Sequence, residues 1–357
     1  MNKKLVAVAV AAVLSAPLTA QAQTANVTLY GRVHLNLEYI DANDNHPSTQ
    51  RLSSNSSRLG VRGTESLGGG LNAIFQIESS ISADAGGGTL AARETFIGLQ
   101  GSWGTVKWGN FLAPYDDMHP IFGNAPTLTT SILATAAIWA NNGGFTKATG
   151  AFDARLQNSL RYDTPNIAGF TGSAQVSLDS ENGTTDPFVL SLGGIYNNGP
   201  FQGGVGFEAN KDVRANGLDD WALTVTGAWN FGVVRVAGVY ERLDYDTPTG
   251  SLKRNFYGVS ATAPVGPGTV YAFYGHADKG KGGGSRVAGL ASGDNTEADQ
   301  FSISYTHPLS KRTSVYAGYH LLDNDANAAY NYNINPYAPA ANGMKLNGFV
   351  LGMIHLF

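Results

Sequence analysis

Residues 27–39 read VTLYGRVHLNLEY, with an apolar residue or a glycine at every second position. Alternation with a period of two over these thirteen residues predicts a β-strand with one apolar and one largely polar face. Strands of soluble proteins average roughly five to six residues, whereas a tilted strand that crosses a bilayer needs about 9–11. The length of the stretch therefore favours a strand that spans a membrane.

Comparable alternation recurs at 221–231, 234–241 and 300–306. The links between such segments alternate in kind. Seven short, turn-rich links lie at 68–70, 101–104, 164–169, 197–200, 230–232, 264–268 and 307–312. Eight longer polar links lie at 41–57, 82–91, 111–157, 179–187, 210–220, 244–255, 277–299 and 323–343. Fifteen links imply sixteen strands, and the alternation of short and long links predicts an antiparallel transmembrane β-barrel.

Composition agrees with this interpretation. Glycine makes up 45 of the 357 residues, only 14% of the residues are charged, and the mean hydropathy is −0.12. No stretch after residue 22 reaches the roughly 18 apolar residues of a spanning helix, which excludes an α-helical membrane protein. Strands in lipid must satisfy their backbone polar groups by closing the sheet, and a barrel of this size is too wide for side chains to fill. The sequence therefore predicts one domain with a water-filled lumen.

The first residues predict export. Lys3 and Lys4 precede an apolar run at 5–14, and Ala20-Gln21-Ala22 is a small-x-small cleavage site, as in a secretory signal. We expect residues 1–22 to be removed and residues 23–357 to form the barrel. The exported part would carry 21 basic and 27 acidic residues, a net charge of −6, which does not favour nucleic-acid binding. The chain has no cysteine, so we expect no disulfides.

Four motifs occur in order along the chain: VTLYG at 27–31, SRLGVRGTE at 57–65 with AIFQIE at 73–78, NSLRYDTP at 158–165, and HLF at 355–357. Together they resemble the Gram-negative trimeric general-diffusion porins. The resemblance implies an all-β, 16-stranded antiparallel transmembrane barrel with an inward-folded third loop. It implies passive diffusion of ions and small hydrophilic solutes through the cell outer membrane, with no catalysis and no cofactor. The implied partners are two further copies of the chain in a homotrimer, outer-membrane lipid and lipopolysaccharide, and the outer-membrane assembly machinery.

The resemblance also implies a constriction where the third loop (111–157) faces a basic wall. The loop motif Pro120-Ile121-Phe122-Gly123 has isoleucine where enteric porins have glutamate, so Asp116 or Asp117 is expected to supply the acid. The first strand departs from the family as well, because it carries Arg32 and His34 where an aspartate is usual. The candidates for the basic wall are Arg32, His34, Arg58, Arg62, Arg93 and Arg161, with Lys107 and Arg155 in a second rank. The sequence leaves open which of these line the narrowest point.

These candidates predict ion selectivity. Acids on one side of the lumen and arginines on the other would create a transverse field. The many loop acids are screened within roughly 8 Å at physiological salt, whereas charges in a confined lumen act at lower effective dielectric. We therefore expect a modest preference for anions despite the acidic total.

The last strand places Phe349, Leu351, Met353, His355 and Phe357 on one face. In the family, a terminal aromatic strand of this kind is an assembly signal, so we expect Phe357, with His355, to be read by the assembly machinery.

Two other functions stay open at this stage. A solute-selective porin would need an aromatic track, for which Tyr115, Phe122 and Trp139 are the candidates. An outer-membrane barrel hydrolase would need a Ser/His/acid set on the rim. Two acidic segments, 41–45 and 323–325, offer oxygen ligands for loosely bound Ca²⁺ but lack calcium-loop spacing, so we expect solvated loops there.

Overall fold

The computed structural model describes residues 26–43, 46–123, 126, 131–141, 149–178 and 187–357. The expected signal at 1–22 lies outside these residues. Within them the chain forms one closed antiparallel sheet. Its strands are β1 Asn26–Ala42, β2 Thr49–Ser54, β3 Ser57–Gly68, β4 Leu71–Ile81, β5 Gly88–Thr89, β6 Thr95–Gly101, β7 Gly104–Leu112, β8 Arg155–Asp163, β9 Phe170–Leu178, β10 Phe188–Asn198, β11 Phe201–Lys211, β12 Asp219–Asn230, β13 Arg235–Thr247, β14 Gly250–Val265, β15 Gly268–Ala277, β16 Ala298–Pro308, β17 Thr313–Asn324 and β18 Lys345–Leu356.

The eighteen strands occupy sixteen positions around the barrel wall. Strands β2 and β3 share one position, because β2 pairs with residues 35–40 of β1 and β3 pairs with residues 26–32 of the same strand. The two-residue strand β5 only extends the edge of β4. Pairing of β1 with β18, from Arg32 opposite Leu356 to Ala42 opposite Leu346, closes the barrel. The predicted 16-stranded antiparallel barrel is confirmed.

The seven short links lie where the sequence predicts them. At 68–71, for example, Gly69 and Gly70 both have positive φ, as a two-residue hairpin of type I′ requires. Two of the predicted long links are wrong in extent. Residues 49–54 of the link 41–57 form β2, and residues 247–250 make a tight turn because β13 and β14 run on past the membrane band. Outside the membrane, a strand can be polar on both faces because its backbone hydrogen bonds do not depend on apolar side chains. A polar stretch of sequence therefore did not distinguish these strand segments from loops.

The two faces of each strand meet different surroundings. In β1, Val27 and Leu29 are 61% and 62% exposed on the outside, whereas Arg32 and His34 point inward and are 6% and 0% exposed. The outer surface carries two aromatic bands. The band at the short-turn end contains Trp103, Tyr162, Tyr196, Phe201, Trp229 and Phe231, and the second band contains Tyr39, Tyr257, Tyr274 and Phe349. Such girdles flank the apolar band of transmembrane barrels.

No helix among the described residues is long and apolar enough to cross a membrane. The helices in this part of the chain are short and lie in the third long loop, at Asp116–Met118, His119–Phe122, Ser131–Leu133, Thr135–Ala137 and Trp139–Asn141. Residues 131–141 thus form a series of single turns, with Ala136 and Ala140 outside helical backbone angles.

The described residues of the third long loop, 113–123, 126, 131–141 and 149–154, lie inside the barrel. Ile132, Leu133, Ile138 and Trp139 are fully buried. Glycines on the inner wall make room for this loop: a Cβ at Gly204 would lie 2.6 Å from both Met118 Sδ and Ile121 Cδ1. Gly258 and Gly318 receive Phe122 and Leu133 in the same way. The apolar side of the loop therefore packs on the wall and leaves a polar side for the lumen.

Candidate channel constriction

A cavity of about 750 Å³ lies between the third loop and the wall formed by β1, β3, β4 and the start of β8. Its charged lining consists of five arginines, Arg32, Arg58, Arg62, Arg93 and Arg155, and four carboxylates, Glu78, Glu94, Asp116 and Asp153. Five of the eight residues expected at the constriction are therefore brought together: Arg32, Arg58, Arg62, Arg93 and Asp116. Arg155, a second-rank candidate, joins them.

Arg32 is held by a break in the wall. Between β2 and β3, Ser56 adopts a positive φ of 53°, and the ladder with β1 is interrupted. Arg32 Nη2 donates hydrogen bonds to the carbonyl oxygens of Asn55 at 3.0 Å and Ser56 at 3.1 Å. The break thus supplies backbone acceptors for a buried cation, which fixes the guanidinium at the lumen face.

Glu78 holds two further arginines. Its Oε1 accepts a hydrogen bond from Arg93 Nε at 2.6 Å and lies 3.5 Å from Arg58 Nη1. The Tyr30 hydroxyl donates to Glu78 Oε2 at 3.0 Å, and the Arg62 guanidinium lies 4.9 Å from the centre of the Tyr30 ring. One carboxylate therefore fixes a row of arginines and offsets part of their charge. The sequence analysis quoted Glu78 only within a motif and missed this contact.

Arg161 and Asp117 are adjacent instead of facing each other across the lumen. Arg161 Nη2 lies 2.5 Å from Asp117 Oδ2, and its Nε donates to Asp163 Oδ1 at 2.8 Å. Lys107 Nζ lies 3.4 Å from the other oxygen of Asp163. Arg161 also donates to the Leu112 carbonyl, at the root of the third loop. Neither Arg161 nor Asp117 lines the cavity, and their ion pair ties the loop to β8.

His34 lies on the inner face of β1 but is fully covered. Its Nε2 makes a 2.8 Å hydrogen bond with the Tyr316 hydroxyl, and the two rings meet edge to face at 5.5 Å. His34 does not line the cavity.

The aromatic candidates for a solute track are buried. Tyr115, Phe122 and Trp139 are each 0% exposed and lie between the loop and the wall. They do not line the cavity, so they form packing contacts and no sliding surface within the described lumen.

Glu241 on β13 is the main polar anchor of the third loop. The fully buried carboxylate accepts hydrogen bonds from the Tyr115 hydroxyl at 2.5 Å and from the Ala140 amide at 3.0 Å. Arg254 Nη2 pairs with it at 2.6 Å, and Arg254 Nη1 also donates to the Ile138 carbonyl. Further wall side chains bind loop carbonyls: Arg235 to Ile121, Ser260 to Phe122, Tyr271 to Gly123 and Gln300 to Ala134. Sequence reasoning missed Glu241 because its place on an inward strand face resembles that of many polar residues.

The calcium candidates begin at strand ends and not in loops, because Asp41 and Ala42 end β1 and Asp323 and Asn324 end β17. Asp323 pairs with Lys345 Nζ at 2.6 Å, so its carboxylate already has a cationic partner. Residues 44–45 of the other segment lie outside the described residues.

Known proteins resemble this chain along most of its length. Residues 7–327 match the Gram-negative porin family. The chain is 32% identical over 378 residues to outer membrane porin protein 32 of Delftia acidovorans, with 100% of both chains covered. It is 27% identical over 392 residues to the major outer membrane protein P.IA of a serogroup A Neisseria meningitidis strain, covering 88% of this chain and 92% of that protein.

Among solved structures, the barrel resembles an anion-selective porin from Comamonas acidovorans, with a TM-score of 0.78 and 28% identity over 94% of this chain and 100% of that one. The fold is also shared with Salmonella typhi OmpF, at a TM-score of 0.67 and 16% identity over 93% and 97% of the two chains. A closed barrel with a polar inner face, an apolar belt and these relatives leads to one conclusion: the chain belongs to the Gram-negative porin family and is a channel of the outer membrane, not an enzyme.

Proposed function

We propose that the third loop narrows this channel to a basic constriction that gives passive diffusion a modest preference for anions. The observation that carries the proposal is the lining of the cavity between loop and wall, which contains five arginines and four carboxylates. Glu78 pairs with Arg58 and Arg93, Arg32 donates to the carbonyl oxygens of Asn55 and Ser56, and Arg62 lies over the Tyr30 ring. The Comamonas porin, described as anion-selective, supports the same sign of selectivity.

Planar bilayers and liposome swelling test the proposal together. We expect stepwise increases in conductance, and we expect sugars to enter liposomes at rates that fall with size without preference for one sugar. Saturable uptake of a single solute class would instead favour a solute-selective porin. Absence of conductance steps would exclude an open pore.

We propose that the active protein is a homotrimer. An apolar groove of about 780 Å³ lies on the outside of the barrel beside the β1–β18 seam, lined in part by Leu37, Tyr39, Ile303 and Phe349. A neighbouring wall would cover this groove, and large porin barrels associate through their walls. In unheated detergent gels we expect a heat-labile species near three times the mass of one chain. Migration at the mass of one chain in mild detergent, confirmed by light scattering, would contradict the trimer.

We propose that residues 1–22 direct export and that the outward face of β18, ending at Phe357, is read during assembly. Phe357 also closes the seam, since its amide donates to the Gly31 carbonyl and its carbonyl accepts from the Gly31 amide. The Phe357 ring lies where a Gly31 Cβ would be, with Cζ 2.3 Å from that position. The backbone bonds survive a side-chain change, so a side-chain variant separates recognition from closure.

Phe357→Ala is therefore expected to lower the amount of protein in the outer membrane several-fold, while Phe357→Trp retains most of it. Quantitative immunoblots of membrane fractions measure the yield. Folding of both variants from urea into detergent, followed by heat-dependent gel migration, is the control. Equal membrane yields for wild type and Phe357→Ala would show that the side chain is not read.

A further inference from the structure

The third loop carries a second cluster of polar groups beside the arginines that line the cavity. Asp116, His119 and Asp153 each point a ligand atom toward the others, and these atoms all lie within 4.8 Å of one another. Asp116 and His119 lie on the outgoing arm of the loop, the part that follows β7. They are three residues apart on consecutive helical turns, so they share one face of this arm. Asp153 comes from the returning arm, just before β8. The cluster therefore joins the two arms of the loop.

His119 is the unusual member of the cluster. Its side chain is 1% exposed, and neither ring nitrogen has a hydrogen-bond partner among the described residues. The ring stacks on Trp139 with the centroids 3.8 Å apart, which fixes its orientation. Its Nε2 faces Asp153 Oδ2 at 3.7 Å, too far for a hydrogen bond. A buried polar side chain without such a partner is costly, so an additional ligand is the physical explanation we favour.

The chemistry of the three side chains suits a metal ion. A neutral imidazole offers a nitrogen lone pair for coordination. The buried carboxylate of Asp153 and the half-buried one of Asp116 supply negative charge. One imidazole and two carboxylates, with room for water from the cavity, are a donor set that first-row transition metals accept.

We propose that Asp116, His119 and Asp153 bind one divalent first-row transition-metal ion per chain, for which Zn²⁺ is the probe. Coordination distances of about 2.0–2.2 Å bring such ligands to roughly 3–4 Å from one another, and only small side-chain rotations separate the present arrangement from that spacing. The three residues line the same cavity as the five arginines described above. The metal would link the two arms of the loop and add positive charge to the lumen. Binding would therefore strengthen anion preference and reduce conductance.

Direct titration tests the site without relying on channel function. Metal-free protein, purified without a histidine tag, is titrated with Zn²⁺ by calorimetry and with Co²⁺ by visible absorption. We expect one ion per chain in the wild type and at least tenfold weaker binding in His119→Gln and Asp153→Asn. The matched control is His276→Gln: His276 also lies 2.8 Å from an aspartate oxygen, that of Asp299, but at the outer end of β15. This control is expected to bind within twofold of the wild type.

The outcomes separate the proposal from its rivals. Lack of binding by the wild type, or equal binding by the two site variants, would overturn it, and so would loss of binding in His276→Gln. Heat-dependent gel migration checks that each variant is folded. If His119→Gln does not fold, Asp116→Asn decides, because this carboxylate is only half-buried and its amide keeps the same shape. In bilayers, Zn²⁺ should lower the wild-type current reversibly on addition of chelator and leave that of Asp153→Asn unchanged.

Discussion

Glu241→Ala is expected to release the third loop from the wall while the barrel stays closed. The substitution removes the acceptor for Tyr115 and Ala140 and leaves the buried Arg254 guanidinium without its carboxylate. Removing one partner of a buried ion pair costs about 3–5 kcal/mol, and here the loss falls on contacts between loop and wall. Single-channel recordings should show larger and noisier openings, and larger sugars should enter liposomes faster than through the wild type.

Glu38→Ala is the matched control for this prediction. Glu38 is also a buried, inward carboxylate paired with an arginine, at 2.6 Å from Arg51 Nε, but its bonds go to the wall strands β1 and β2. It should destabilise the barrel to a similar degree without enlarging the openings. Equal enlargement in both variants, or none in Glu241→Ala, would show that Glu241 does not position the loop.

Replacing Arg58 and Arg62 together by glutamine is expected to shift ion selectivity toward cations. The double variant removes two of the five arginines that line the cavity, while Arg93 at 2.6 Å still pairs with Glu78. Four carboxylates and three arginines would then line the cavity. The zero-current potential in a tenfold KCl gradient, for which a perfectly selective pore gives roughly 59 mV, should move by about 10–20 mV in the cation direction. Conductance should rise slightly, because glutamine is shorter.

Lys311→Gln combined with Arg312→Gln controls for total charge. Both residues are exposed in the short turn between β16 and β17, so their charges are screened by salt. We expect this double variant to keep the zero-current potential in the same KCl gradient within about a few millivolts of the wild-type value. A shift as large as that of the lumen variant would mean that net charge, and not the cavity lining, sets selectivity.

The fold was predictable because barrel strands leave a strong imprint on the sequence. Residues 27–39 alternate because one face of the strand meets lipid and the other meets water. The short turns are rich in glycine because tight hairpins need residues with positive φ. The break at Asn55 and Ser56 was not predictable, because it depends on Arg32, a residue of another strand. The lengths of β13 and β14 beyond the membrane were missed because polar strand and polar loop have the same composition.

The candidate site was predictable only in part. Strand parity placed Arg32, Arg58 and Arg62 on the inner face, and the cavity lining includes all three. The alternation along a strand does not show which inner residue contacts the third loop. Arg161 and Asp117 were therefore expected on opposite sides of the lumen, although they form an ion pair. The anchoring by Glu241 and the approach of Asp153 to His119 depend on where the long loop turns back, which local sequence does not encode.

The zero-current potential of the wild-type channel in a KCl gradient tests the basic constriction most directly. Chloride moving ahead of potassium would make the dilute side negative, and we predict this sign with a magnitude of about 20 mV for a tenfold gradient. A dilute side that becomes clearly positive would contradict the account, because the acids of the loops or of the third loop would then govern the path of the ions.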